Sequence, residues 1–326
     1  MDLQNLLDGH AARGLLDVPA AVAGISVAGT RSTAVRGADA LAPDTPFRIA
    51  SLTKVFTCTA LLLRLRADGI PTDTPAVELL ADLAPEWRAD RTLTVEQLLG
   101  QVSGLRPSVN AATAAGLGEG PEALHEAARL VVRGGNEREP GDRWAYDNGN
   151  YFLAGALLAA LAGVPYETAL QRELLAPWGL SGTGFDLPDG AVAGHIGAAP
   201  LAPASYPRPR RPSGGLWSRV PDLLALGEGL LADRALLAEM RRSRTRPDDP
   251  MRYGLGWALG PSGQMYLNGR LPGYRSALLL VPDAELVCVA LAAEQDALPG
   301  LAALLSDVQR PFTGDDLAAA VDAFAA

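Results

Sequence analysis

The period of the apolar positions changes twice along this chain. Near the start, Ala20-Ala-Val-Ala-Gly-Ile-Ser-Val-Ala28 and then Ser32-Thr-Ala-Val-Arg36 read as the two strands of a hairpin. Ser51 to Asp68 carries Val55, Cys58, Thr59, Leu62, Leu63 and Leu65, is apolar almost all round and stops at Gly69, which predicts a buried central helix with a glycine C-cap. Pro71 breaks the chain. From there to about Phe185 the pattern is mostly helical: Thr94-Val-Glu-Gln-Leu-Leu-Gly100 with Thr94 as N-cap, Pro121 to Val132, Gly149 to Leu161 and Tyr166 to Leu175. A Pro- and Arg-rich stretch, Pro200 to Pro212, reads as a surface linker. Beyond it come a helix, Val220 to Leu231, strands at Tyr253 to Leu259, Gln264 to Leu267, Ser276 to Val281 and Glu285 to Ala292, and a helical end. Strands at both ends with helices between them predict an α+β fold. Residues 1–70 and 186–326 form a discontinuous sheet domain, and 71–185 an inserted, largely helical one.

Composition narrows the partners. With 326 residues, 48% hydrophobic and 20% charged, the chain is long and apolar enough for a large core. The formal net charge of -9 argues against nucleic acid or an anionic membrane as partner, because both reward excess basic charge. Residues Met1 to His10 lack a basic region followed by an apolar run, and nothing reaches the roughly 18 apolar residues of a membrane span. The expected location is the cytoplasm. Cys58 and Cys288 lie far apart in apolar runs and read as core residues. His10, His125 and His195 have no metal-ligand spacing, so neither metal nor cofactor is expected.

Candidate chemistry begins with a count. Of 28 lysines and arginines, Lys54 is the one lysine, and it stands three residues after Ser51. Lysine is the cation whose pKa can fall far enough to accept a proton; a guanidinium stays charged. On a helix, positions i and i+3 share a face, so hydroxyl and amine come within reach, and the helix N-terminus favours a developing oxyanion. The same pair also fits an N-cap serine followed by a solvated lysine. A second constellation lies in Pro140-Gly-Asp-Arg-Trp-Ala-Tyr-Asp-Asn148, where Pro-Gly marks a turn and Tyr146 and Asn148 stand two apart. A phenol driven toward phenolate by a cationic lysine could take the serine proton, and an amide could hold a substrate amide.

Together these segments resemble the serine β-lactamase and penicillin-binding-protein superfamily, in its class C β-lactamase, DD-peptidase and esterase branch. Ser51-Leu-Thr-Lys54 matches the Ser-x-x-Lys motif. Leu98-Leu-Gly-Gln-Val-Ser-Gly-Leu105 resembles Leu-Leu-x-His-x-Ser-Gly-Leu, Tyr146-Asp-Asn148 resembles Tyr-Ser-Asn, and Ser213-Gly-Gly-Leu-Trp-Ser218 is similar to Gly-Gly-Leu-x-Ser. The resemblance implies a DD-peptidase-like antiparallel sheet flanked by helices, with Ser51 as nucleophile and Lys54 and Tyr146 as its bases. It also implies substrate contacts at Asn148, Asn268, Gly269 and Arg270, the last offering its backbone N–H to the oxyanion beside that of Ser51. One departure stands out. Alignment on Pro272-Gly273-Tyr274 puts Leu267-Asn268-Gly269 where relatives carry Lys-Thr-Gly or His-x-Gly, so the basic residue that would hold a substrate carboxylate is replaced by Leu267. The implied activity is hydrolysis of a small ester or amide through an acyl-enzyme. Alternatives are acyl transfer to an amine or alcohol, β-lactamase or D-amino-acid peptidase activity, and a non-catalytic binding protein.

Overall fold

The structure, a computed structural model, describes residues 2–37, 41–203 and 205–324. Its strands are β1 (Ala20–Val27), β2 (Thr30–Gly37), β3 (Phe47–Arg48), β4 (Gly194–Ile196), β5 (Ala199–Leu201), β6 (Trp217–Ser218), β7 (Ala258–Leu259), β8 (Met265–Leu271), β9 (Tyr274–Val281) and β10 (Leu286–Ala292). Six of them form one antiparallel sheet in the order β2-β1-β10-β9-β8-β7. The fold is the expected α+β arrangement of an antiparallel sheet flanked by helices.

Burial along β1 and β10 is nearly continuous rather than alternating. Successive side chains point to opposite faces, so both faces of the sheet are covered. The helix Val220–Ala232 packs against β1 and β10. It comes so close that a Cβ on Gly24 would lie 2.3 Å from Val220, and one on Gly227 2.5 Å from Val287. The helices Leu3–Ala12 and Leu298–Thr313 also pack on the sheet, the first against β1 and β2, the second against β9 and β10. Cys58 and Cys288 are buried and unpaired in this core.

The central helix runs from Thr53 to Asp68, is buried continuously from Thr53 to Leu62, and ends at Gly69 with φ 67°. It packs against Gly149–Ala162, a helix apolar all round and buried from Gly149 to Leu158. Among the described residues no single helix is long and apolar enough to cross a membrane; the bent pair Gly149–Ala162 and Tyr166–Leu175 passes that test by length and composition only.

Three expectations need correction. Ser51 lies in a 3₁₀ turn, Ala50–Leu52, one turn ahead of the α-helix. The strand expected over Tyr253 to Leu259 shrinks to Ala258–Leu259. There Gly256 has φ 79°, and the N–H groups of Leu255 and Gly256 donate to Met240 and Leu99 instead of to a strand. The Pro- and Arg-rich stretch is not only a linker: it leads through Arg208–Arg210 into the short helix Arg211–Gly214, where Pro209, Pro212 and Ser213 are buried.

Candidate active site

Ser51 is presented by a backbone held under tension. The preceding residue, Ala50, has φ 48° without being glycine, a conformation that costs of order 1–3 kcal/mol and persists only when its surroundings impose it. Those surroundings are visible. Ile49 N–H donates to Leu216 O at 3.1 Å, and Ser276 Oγ donates to Ile49 O at 2.7 Å, so the turn is clamped from the residue before β6 and from β9.

Lys54 stands one turn further along and is fully buried. Its Nζ lies 3.3 Å from Ser51 Oγ and donates to Ser213 O at 2.7 Å. Burial drives its pKa well below the usual lysine range, and the nearby Arg210 pushes the same way, against Asp147. A neutral amine with one N–H on Ser213 O has its lone pair free to accept the Ser51 proton. On the other side, Tyr146 OH donates to Ser51 Oγ at 2.8 Å. Lys54 Nζ lies 4.8 Å from the centre of the Tyr146 ring. Here the sequence expectation is reversed: burial raises the Tyr146 pKa, outweighing the hydrogen bond to Ser51, so Tyr146 is a phenol rather than a phenolate. The same burial lowers the Lys54 pKa and so weakens the cation that was to generate a phenolate.

The Tyr146 segment is seated by Gln101, which sequence reasoning placed in a motif but gave no role. Gln101 itself has φ 59°. Its side-chain oxygen accepts from Asp147 N at 3.0 Å and Asn150 Nδ2 at 2.5 Å, and its backbone oxygen accepts from Ala145 N at 2.9 Å. Asp147 is a further group the sequence did not flag; burial raises its carboxyl, and Gly149 N–H holds Oδ1 at 3.0 Å. Asn148 begins the helix Gly149–Ala162 through its backbone oxygen, with its side chain partly exposed and making no cap hydrogen bond.

The β8 edge closes the site. A Cβ on Gly269 would lie 2.3 Å from Ser276 Oγ and 2.4 Å from Ile49 O, so only glycine lets this strand rest against the Ser51 turn. The β8–β9 hairpin closes on the pair Leu271 and Tyr274 through Pro272-Gly273. Hydrogen-bonded and non-hydrogen-bonded pairs alternate from there, so Arg270, paired with Arg275, turns its N–H away from β9. Leu267 is wholly buried, so no cation occupies that place. Arg275 donates into its own hairpin, to Leu271 O at 2.8 Å and Tyr274 O at 2.7 Å. Of the two arginines, Arg270 is the one whose charge acts on Tyr146, in the direction that lowers its pKa.

Asn268 departs from expectation. It is buried, and its Nδ2 donates to Val321 O and to Phe324 O, the latter at 3.1 Å, while Arg270 donates to Asp322 O. As the protein stands, the side chains of Asn268 and Arg270 hold residues 321–324.

Comparison with known proteins places the chain in a family. Residues 10–305 match the Beta-lactamase family. The chain belongs to that family. A curated member-like relative, penicillin-binding protein 4 of Amycolatopsis lactamdurans, is 25% identical over 163 residues, 50% of this chain and 42% of that protein. The chain spans about half the length of the first curated relatives it matches. Two solved structures share the fold. The octameric penicillin-binding protein homologue from Pyrococcus abyssi has TM-score 0.79 and 22% identity, over 94% of this chain and 77% of that one. The D-stereospecific amidohydrolase from Streptomyces sp. has TM-score 0.73 and 24% identity, over 96% of this chain and 98% of that one.

Proposed function

We propose that the protein is a serine hydrolase that forms an acyl-enzyme on Ser51 and cleaves a small, uncharged ester or amide. The observation that carries this reading is a serine hydroxyl 3.3 Å from a buried lysine amine and 2.8 Å from a tyrosine hydroxyl. As Ser51 Oγ attacks the substrate carbonyl carbon, neutral Lys54 takes its proton. The negative charge that develops on the carbonyl oxygen meets the backbone N–H groups of Ser51 and Arg270. Collapse breaks the bond to the leaving group, which takes a proton from Tyr146 while Tyr146 recovers one from Lys54. Water then repeats the sequence on the Ser51 ester and releases the acid. Residues 71–185 are read as a helical domain inserted in the sheet domain, with the site between the central helix and the edge of β8.

Substrate charge follows from the cations. Leu267 supplies none, and Arg270 is engaged with Asp322 O, so a substrate carboxylate has no dedicated partner on the β8 edge. The test is intact-mass measurement after incubation with a fluorophosphonate, with peptide mapping of the adduct. A single adduct on Ser51, absent in Ser51→Ala and strongly reduced in Lys54→Arg, is expected; full labelling of Lys54→Arg would exclude the amine as base.

A further inference from the structure

Residues 317–324 run across the face of the site. The helix Ala318–Ala323 covers the outer side of β8, and the chain then drops the ring of Phe324 into an enclosure of three aromatic side chains. That ring is stacked on Tyr253 with centroids 6.0 Å apart, meets Tyr146 edge-on at 5.6 Å, and lies 6.5 Å from Trp144. Tyr146 is the residue whose hydroxyl holds Ser51 Oγ. A phenyl group is thus packed on the proton donor of the reaction, and the carbonyl groups beside it are bound by Asn268 and Arg270, on either side of Gly269.

We infer that the enclosure of Trp144, Tyr146 and Tyr253 is a substrate subsite for an aromatic ring linked to an amide or ester carbonyl, and that residues 317–324 are its internal occupant, displaced for turnover. It rests on the acyl-serine reading above and adds the substrate class. Two further observations support it. The segment is held by three buried side chains, Leu317, Val321 and Phe324, and by the carbonyl oxygens that Asn268 and Arg270 bind; its helix has only six residues, too few to be stable once those contacts are exchanged for a ligand's. Two buried donors at this end of the site, Trp144 Nε1 and Arg270 Nε, have no hydrogen-bond partner among the described residues. A phenyl side chain brings no acceptor to either. Leaving such donors dry costs about 1–3 kcal/mol each, a cost that a ligand with carbonyl oxygens near the ring would remove.

Hydrogen exchange on the unaltered chain tests this with phenylacetamide as probe and acetamide as control. If ring and segment compete for one enclosure, phenylacetamide at about ten times its apparent Kd should leave the segment displaced in roughly ten molecules of eleven, so the amides of 318–324 should lose nearly all their protection, as mass action requires, and acetamide should do nothing. Unchanged or slower exchange with phenylacetamide overturns the inference, because a core phenylalanine would not be displaced. Phe324→Ala provides a second readout: fluorophosphonate should label Ser51 about tenfold faster once the open form is no longer a minority. Labelling of the folded variant no faster than the parent also overturns it. The two readings fail separately: no Ser51 adduct in either chain defeats the acyl-serine chemistry, and the exchange response still decides the subsite.

Discussion

Replacing Gly269 with alanine asks how far the reactive turn depends on the strand behind it. The backbone of Gly269 is not in the left-handed region, so alanine can adopt it and any effect is steric. The added methyl would lie 2.3 Å from Ser276 Oγ, 2.4 Å from Ile49 O and 3.0 Å from Ala50 Cβ. Non-bonded carbon atoms prefer roughly 3.5–4.0 Å. Ser276 could rotate away, but Ile49 O is backbone, so β8 and the Ala50–Leu52 turn must separate by about 1 Å. Overpacking of this kind costs about 1–3 kcal/mol of stability. The same shift moves the Arg270 N–H away from Ser51, and a misplacement of about 1 Å can cost about 100-fold in rate. Urea unfolding reads the first quantity and the rate of Ser51 labelling by fluorophosphonate the second. Adding Ser276→Gly should not restore the rate, since the Ile49 contact remains and the hydroxyl that holds Ile49 O is lost. A labelling rate within about twofold of the parent, with stability inside about 0.5 kcal/mol, would refute the idea that β8 leans on the nucleophile's turn.

Four other outcomes follow from the geometry. Acylation should rise with pH as Lys54 loses its proton, with the limb well below 10.5; Asp147→Asn should move it lower, because that carboxylate raises the Lys54 pKa, and Arg210→Gln should move it higher. A limb near 10.5, or shifts of the opposite sign in labelling rate against pH, would contradict the neutral-amine assignment. Gln101→Ala strips the acceptor from Asp147 N and Asn150 Nδ2 and should cost about 1–3 kcal/mol per unpaired donor, with unchanged urea midpoints counting against it. Tyr146→Phe should slow turnover roughly 100- to 10,000-fold, measured as kcat on any ester that labels Ser51. A nitrophenyl ester should exceed a chromogenic cephalosporin in kcat/KM by about tenfold, the least expected from an unpaired buried carboxylate; a faster cephalosporin would show that Arg270 can leave Asp322 O and serve the carboxylate.

What could be read from the sequence was what is local. Ser51 and Lys54 are three positions apart, and the structure brings their side chains together along with Tyr146. The hairpin of β1 and β2 and the end of the central helix at Gly69 follow from alternation and a glycine stop. Contributions made by backbone groups left no such signature. Ser213 enters through its carbonyl oxygen, which any residue carries, and Gln101 through a side chain whose partners are 46 and 49 positions away. The protonation of Tyr146 could not be read because burial, which decides it, is a property of the packed protein. Nor could the cover over Asn268 and Arg270, since alanine-rich residues 318–323 advertise a helix but not its destination.

The pairing of β1 with β10 joins Ala21 to Ala292 and Val27 to Leu286, which has a consequence in time. During synthesis, β1 and β2 can pair as soon as both have emerged, but a lone two-stranded ribbon is marginal in water. Its other edge stays open until β10 exists. Closing so long a loop before any contact rewards it makes folding slow and leaves an apolar edge exposed to other chains. Ser51 shares this schedule: its turn is held by Leu216 and Ser276, both far downstream. A growing chain therefore carries Ser51 long before it carries the turn that presents it, and on the proposed function Ser51 labelling should appear late in refolding, in step with the closing of the sheet.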